Sequence, residues 1–208
     1  MIYVHVPFCA SRCIYCDFYS TLMNEDTKAL YVENVCKELK YRNTYLPNTQ
    51  IRTIYLGGGT PSQLHIAQIA QILKCIKTHY EVNDDAEITL EANPDDVTLN
   101  FATQLAQLGV NRVSLGVQSF DDKILKMLNR RHSAQQAQMA YRKILGDNPE
   151  SSYRPLDYFN AGLPLSIAGV DDDKTMADVI PYYPKLKAIF TNYPAKLISK
   201  LREQKYID

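Results

Sequence analysis

Over the first 145 residues, short β-prone runs alternate with stretches in which apolar residues return every three or four positions. Ile2 to Val6, Thr53 to Leu56, Ile88 to Glu91 and Val113 to Val117 are the strand-like runs. Between them Ile66, Ile69, Ala70, Leu73 and Lys77 recur at helical spacing after a candidate N-cap at Ser62, and Leu99, Ala102, Leu105 and Leu108 do the same after Thr98. Strands separated by helices need right-handed parallel crossovers, so the pattern predicts an α/β parallel sheet or barrel.

Within the strands the alternation separates two faces. Ile2, Val4 and Val6 oppose Tyr3 and His5; Ile88 and Leu90 oppose Thr89 and Glu91; Val113, Leu115 and Val117 oppose Ser114, Gly116 and Gln118. Parallel sheets are covered on both faces, so the polar face is expected to line an enclosed cavity holding something polar. The unusual residues collect at C-terminal strand ends, where α/β proteins place their sites. Cys9, Cys13 and Cys16 follow the first run, Gly57 to Pro61 the second, Glu91 to Pro94 close the third and Gln118 closes the fourth. Residues 146 to 208 are less regular: GDNPESSYRP reads as a loop, Asp171 to Asp173 as a solvated acidic run, and Ala195 to Lys205 as a short helix with Leu197, Ile198 and Leu201.

Composition narrows the class. At 208 residues and 46% hydrophobic content the chain suits one soluble globular domain. Lys plus Arg (23) balances Asp plus Glu (23), which argues against a nucleic-acid or anionic-membrane binder. No apolar run approaches the roughly 20 residues of a membrane span, and MIYVHVPFC lacks the basic and apolar regions of a signal peptide, so a cytoplasmic location is expected. Three of the 5 cysteines crowd together, as a thiolate ligand set does in a reducing compartment. Cys36 and Cys75 stand alone in helical stretches and are expected to be buried as small hydrophobes.

The central constellation is the C-x3-C-x2-C of VPFCASRCIYCDF. Soft thiolates at this spacing wrap iron clusters or zinc, either of which normally takes four ligands, and no fourth Cys or His follows nearby. A [4Fe–4S] cluster on three thiolates leaves one iron open for a chelating ligand. That is the arrangement radical S-adenosylmethionine (SAM) chemistry requires: the amino and carboxylate groups of SAM chelate that iron, an electron enters, and the sulfonium bond breaks to give a 5'-deoxyadenosyl radical. Structural zinc with a distant fourth ligand is the alternative.

YVHVPFC with RCIYCDFYS, YLGGGTPS, LEANPDD, GVNRVSLGVQSF and LNRRHS resemble, in order and spacing, the oxygen-independent coproporphyrinogen III oxidase family of radical SAM proteins. The match spans residues 1 to 145. Phe18 stands where the oxidases carry another Cys, and the cluster motif starts at once, which favours the haem chaperone (HemW-type) branch. The resemblance implies metal ligands at Cys9, Cys13 and Cys16 and SAM contacts at Tyr3, Gly58, Gly59, Thr60, Glu91, Gln118 and Arg130. Glycines allow close backbone approach, Glu91 would accept from the ribose hydroxyls, and Arg130 would meet a carboxylate. A simple glycine turn and a helix-surface Arg130 are the rival readings. Tyr15 also matches a family position near SAM; His5 reads equally as a hydrogen-bonded core histidine, and His132 as a solvated one.

Beyond residue 145 the resemblance fails. Asp157 in PLDYFNAGLPLS lies one residue too far from Gly162, Leu163 and Pro164 to match the family's SAM-contacting Asp, and the chain contains no Trp. No counterpart of the family's C-terminal domain is read here, so the expectation is a truncated or frame-disrupted copy keeping the cluster half. The expectation is α/β: an incomplete parallel (β/α) barrel of the radical SAM type, with residues 1 to 145 as core and 146 to 208 as a divergent segment placed to complete it. Its cofactors would be a [4Fe–4S] cluster and SAM, with haem as a further ligand. Its partners would be haem or a porphyrinogen and an electron donor protein, with no nucleic acid and no integral membrane segment. The rival functions are a true coproporphyrinogen oxidase, a non-catalytic cluster or haem carrier, and an inactive copy.

Overall fold

The computed structural model describes residues 1–22, 24–45, 50–144, 165–168, 186–190 and 194–205. The boundary expected at residue 145, the GDNPESSYRP loop, Asp157 and the Asp171 to Asp173 run lie outside the described residues. The chain folds as two compact units, one of Met1–Arg12, Cys16–Ala92 and Asn100–Val113, the other of Cys13–Tyr15, Asn93–Leu99 and Ser114 onward.

In the first unit β1 (Ile2–Val6), β4 (Ile51–Gly58) and β5 (Val82–Ala92) pair in parallel in that order. The register explains the two faces. Val4, Leu56 and Leu90 fall in one row and are 5%, 0% and 0% exposed, whereas Tyr3, Tyr55 and Thr89 make the neighbouring polar row. Helix α1 (Glu25–Tyr41) starts at Asn24, whose side chain accepts from the backbone N–H groups of Asp26 and Thr27, and it packs against α2 (Ile66–His79). Ile69, Ile72, Leu73 and Ile76 of α2 are fully buried, each stabilising by about 1.5–3 kcal/mol relative to exposure. At the far side of β5, the Asn111 side chain donates to Ala86 O and accepts from Ile88 N–H, extending the sheet's hydrogen bonding through a side chain.

Three local expectations need correction. Helix α2 begins at a His65 cap, not at Ser62, because Pro61–Gln63 forms a separate 3-10 turn in which Ser62 is buried; the Gln68 side chain then accepts from His65 N–H at 2.9 Å. Strand β6 (Arg112–Leu115) stops short of Val117. There Val117 N–H bonds Leu115 O and Ser119 N–H bonds Val117 O, tight turns that replace the ladder while keeping Val117 in the core. Cys36 and Cys75 are neither isolated nor fully buried: they face each other between α1 and α2, Cys75 Sγ donating to Cys36 O at 3.4 Å, and burial pushes the Cys36 thiol up to about 11.

The second unit carries parallel pairs β6 with β7 (Leu165–Ala168) and β7 with β8 (Leu186–Phe190), together with α4 (Asp122–Met127), α5 (Ala134–Ile144) and α6 (Pro194–Glu203). Helix α3 (Leu99–Gln107), which lies in the first unit from Asn100 on, starts directly after Thr98, as its spacing predicts. The C-terminal helix likewise forms, with Leu201 buried and Ile198 exposed. Among the described residues no helix is long and apolar enough to cross a membrane.

Candidate functional site

Strand β1 delivers the chain into the cysteine loop. After Pro7, β2 (Phe8–Cys9) pairs with β3 (Thr21–Leu22), and Thr21 N–H donates to Pro7 O at 2.8 Å, so the two ends of the loop are tied together. Arg12 adds a bond to Ser20 O at 2.6 Å. His5 takes the hydrogen-bonded reading: Tyr19 O can only accept, so Nε2 carries the proton at 2.9 Å, and Nδ1 accepts from the Tyr3 hydroxyl at 3.1 Å. Cys9 is buried, and the Thr60 hydroxyl donates to its sulfur at 3.5 Å. Cys16 is exposed.

The glycine run is shaped by the same loop. A Cβ on Gly59 would sit 2.8 Å from the Pro7 carbonyl carbon and 2.9 Å from Phe8 O, and one on Gly58, whose φ is +112°, would strike the His5 ring at 2.6 Å. These glycines are therefore required by the close approach of β1's exit, whatever ligand they also meet. Glu91 faces them from β5: its Oε1 accepts from the Tyr55 hydroxyl at 2.6 Å and its Oε2 from Gly58 N–H at 3.0 Å. Burial, and then the Glu91 charge, raise the Tyr3 phenol above its ordinary value. Tyr3 is nonetheless 49% exposed, whereas Thr89 on the same sheet face is fully buried.

In the second unit Arg130 is no surface charge. Its Nη1 donates to Cys13 Sγ at 3.1 Å and its Nη2 to Asn93 Oδ1 and Gly116 O, each at 2.7 Å, while its buried Nε has no partner among the described residues. Gln118 adopts a left-handed φ of 67° in the turn after β6. That turn is held by His132, which is 3% exposed instead of solvated and donates from Nε2 to Val117 O at 2.9 Å. Burial first, then Arg130 and Arg131, lower His132 to about 4 against its bond to Val117. Asp95 and Asp96 both pair with Arg131, and burial with the neighbouring Asp96 raises the Asp95 carboxyl.

Sequence reasoning missed Tyr55 and Asn93 as site partners. Tyr55 was hidden among 15 tyrosines, whereas Asn93 lies inside the LEANPDD motif. Tyr3, Gly58, Gly59, Thr60, Glu91, Cys9 and Cys16 belong to the first unit, and Cys13, Gln118 and Arg130 to the second. Among the described residues, no three His, Cys, Asp or Glu side chains are gathered as a metal would need. By donor chemistry the residues do fit an iron–sulfur cluster, since two of the three sulfurs each receive a hydrogen bond of the kind that stabilises a ligating thiolate.

The family model described as the radical SAM superfamily matches residues 3–146. The chain belongs to the radical SAM superfamily. Relatives within the superfamily include the heme chaperone HemW of Escherichia coli (strain K12), 38% identical over 146 residues that make up 70% of this chain and 39% of that protein. The HemW of Lactococcus lactis subsp. lactis (strain IL1403) is 33% identical over 86% of this chain and 46% of its own length. The oxygen-independent coproporphyrinogen III oxidase of Escherichia coli (strain K12) is 32% identical over 62% of this chain and 28% of its own. The chain thus spans less than half the length of these curated relatives. The solved coproporphyrinogen III oxidase (HemN) from Escherichia coli, described as a radical SAM enzyme, superposes with a TM-score of 0.69 at 22% identity over 97% of this chain and 46% of that one. The fold is accordingly the α/β, parallel-sheet fold of radical SAM proteins.

Proposed function

We propose that Cys9, Cys13 and Cys16 hold a [4Fe–4S] cluster, that the chain binds SAM, and that it serves haem trafficking in the cytoplasm, as the name heme chaperone of its relatives indicates for them. The observation that carries this reading is the C-x3-C-x2-C loop with hydrogen-bond donors on two of its sulfurs, Thr60 Oγ1 on Cys9 and Arg130 Nη1 on Cys13. The three cysteines would hold the cluster, which, once reduced by an external electron donor, would supply the chemistry that binds SAM and cleaves its sulfonium bond. The chain's own residues would orient that ligand. Glu91 already accepts from Tyr55 and Gly58 but keeps lone pairs for the ribose hydroxyls, Gly58 and Gly59 offer backbone, and the Nε–H of Arg130, which has no partner among the described residues, would meet a carboxylate. Tyr3 and Gln118 complete the proposed SAM contacts.

Anaerobic reconstitution followed by iron analysis and Mössbauer spectroscopy tests the proposal. The wild-type chain should hold four irons, and the triple Cys-to-Ala variant at positions 9, 13 and 16 should lose the signal; a variant that keeps it refutes the ligand assignment. Release of 5'-deoxyadenosine under strong reductant separates a SAM-cleaving protein from a passive carrier. Oxidative decarboxylation of a porphyrinogen would instead support the oxidase reading, and haem titration followed by absorbance reports on trafficking.

A further inference from the structure

Lys28 is one of the largest fully buried side chains among the described residues, 2% exposed on α1. Its ammonium donates to Glu25 Oε1 at 2.8 Å and to Gln63 O at 2.6 Å. Burying an ammonium costs several kcal/mol unless its donors are met, and here two of them are. The pair with Glu25, itself 59% exposed, joins neighbours on one helix, whereas the bond to Gln63 O ties α1 to a turn 35 residues away.

Gln63 ends the Pro61–Gln63 turn, and its own N–H returns to Thr60 O at 2.9 Å. Thr60 in turn places its hydroxyl on Cys9 Sγ. One helical turn further along α1, the Tyr31 hydroxyl donates to His5 O at 2.5 Å and its ring meets Phe8 edge-on at 5.2 Å. The same helix face therefore grips the strand that leads into Cys9 and the turn that hydrogen-bonds its sulfur.

We infer that Lys28 is a positioning residue for Cys9: its ammonium fixes the turn after the glycine run so that the Thr60 hydroxyl stays on the sulfur. The inference rests on reading Cys9 as a cluster ligand, and its test separates the two. In the apoprotein, alkylation by N-ethylmaleimide is followed cysteine by cysteine with peptide mass spectrometry. Lys28→Met should speed labelling of Cys9 by about tenfold, the factor expected for one lost hydrogen bond, while Cys36 and Cys75 keep their wild-type rates. After reconstitution the same variant should show a lower midpoint potential, because hydrogen bonds to cluster sulfur raise it.

An unchanged Cys9 rate in Lys28→Met overturns the inference, even if the wild type binds its cluster. Conversely, a wild type that takes up no iron refutes the cluster reading alone, since the alkylation result still decides the role of Lys28. A uniform rise at Cys9, Cys36 and Cys75 would mean that the whole unit has loosened. Lys28→Gln, neutral and one atom shorter, then decides: it must free Cys9 selectively, and an unchanged or again uniform pattern overturns the inference.

Discussion

Acidification should destabilise this protein through a single buried histidine. His132 sits 3% exposed with Nε2 on Val117 O and with Nδ1 buried and unpartnered among the described residues. Burial first, and then the charges of Arg130 and Arg131, oppose a proton on Nδ1, which is why the group is lowered from 6.5 to about 4. Because the folded value lies below the unfolded one, the unfolded chain binds more protons between them, so stability is full above about pH 6.5 and is lost as pH falls toward 4. Integrated from pH 7 to pH 5, one such group removes about 2 kcal/mol. Urea unfolding of the wild type and of His132→Gln at both pH values isolates the effect. Gln can keep a donor for Val117 O but cannot titrate, so it should lose about 2 kcal/mol less than the wild type over that interval. Equal losses in the two proteins would refute the reasoning, leaving the carboxylates or the other histidines as the acid-sensitive groups.

Gly59→Ala should destabilise by about 1–3 kcal/mol in urea, because the new methyl meets backbone atoms of Pro7 and Phe8 that cannot rotate away; an unchanged midpoint would show that the loop has room after all. Glu91→Ala should cost about 1–3 kcal/mol at neutral pH by leaving Gly58 N–H and the Tyr55 hydroxyl without their acceptor. It should also abolish SAM binding measured by calorimetry, and retained SAM affinity would remove Glu91 from the proposed site.

The amino-acid sequence by itself determined that β1, β4, β5 and β6 form as strands and α2, α3 and α6 as helices, and which face of β1, β5 and β6 is apolar, though not where α2 is capped or where β6 ends. Those are consequences of periods of two and of three to four residues, and such periods are written locally. Ile2 to Val6 and the core face of α2 follow directly from them, and the three-cysteine loop is equally local, since Cys9, Cys13 and Cys16 lie close together in the chain. Contacts that join distant positions were decided only by tertiary structure. Thr60 reaches Cys9 across 51 residues and Arg130 reaches Cys13 across 117, and no local pattern encodes either. The same reason accounts for His132, whose helical surroundings read as solvated until the turn after β6 closed over it, and for Cys36 and Cys75, which became neighbours when α1 met α2. Periodicity sets which side of an element turns inward; the polar atom it meets there depends on register and packing between elements, which the folded chain fixes as a whole.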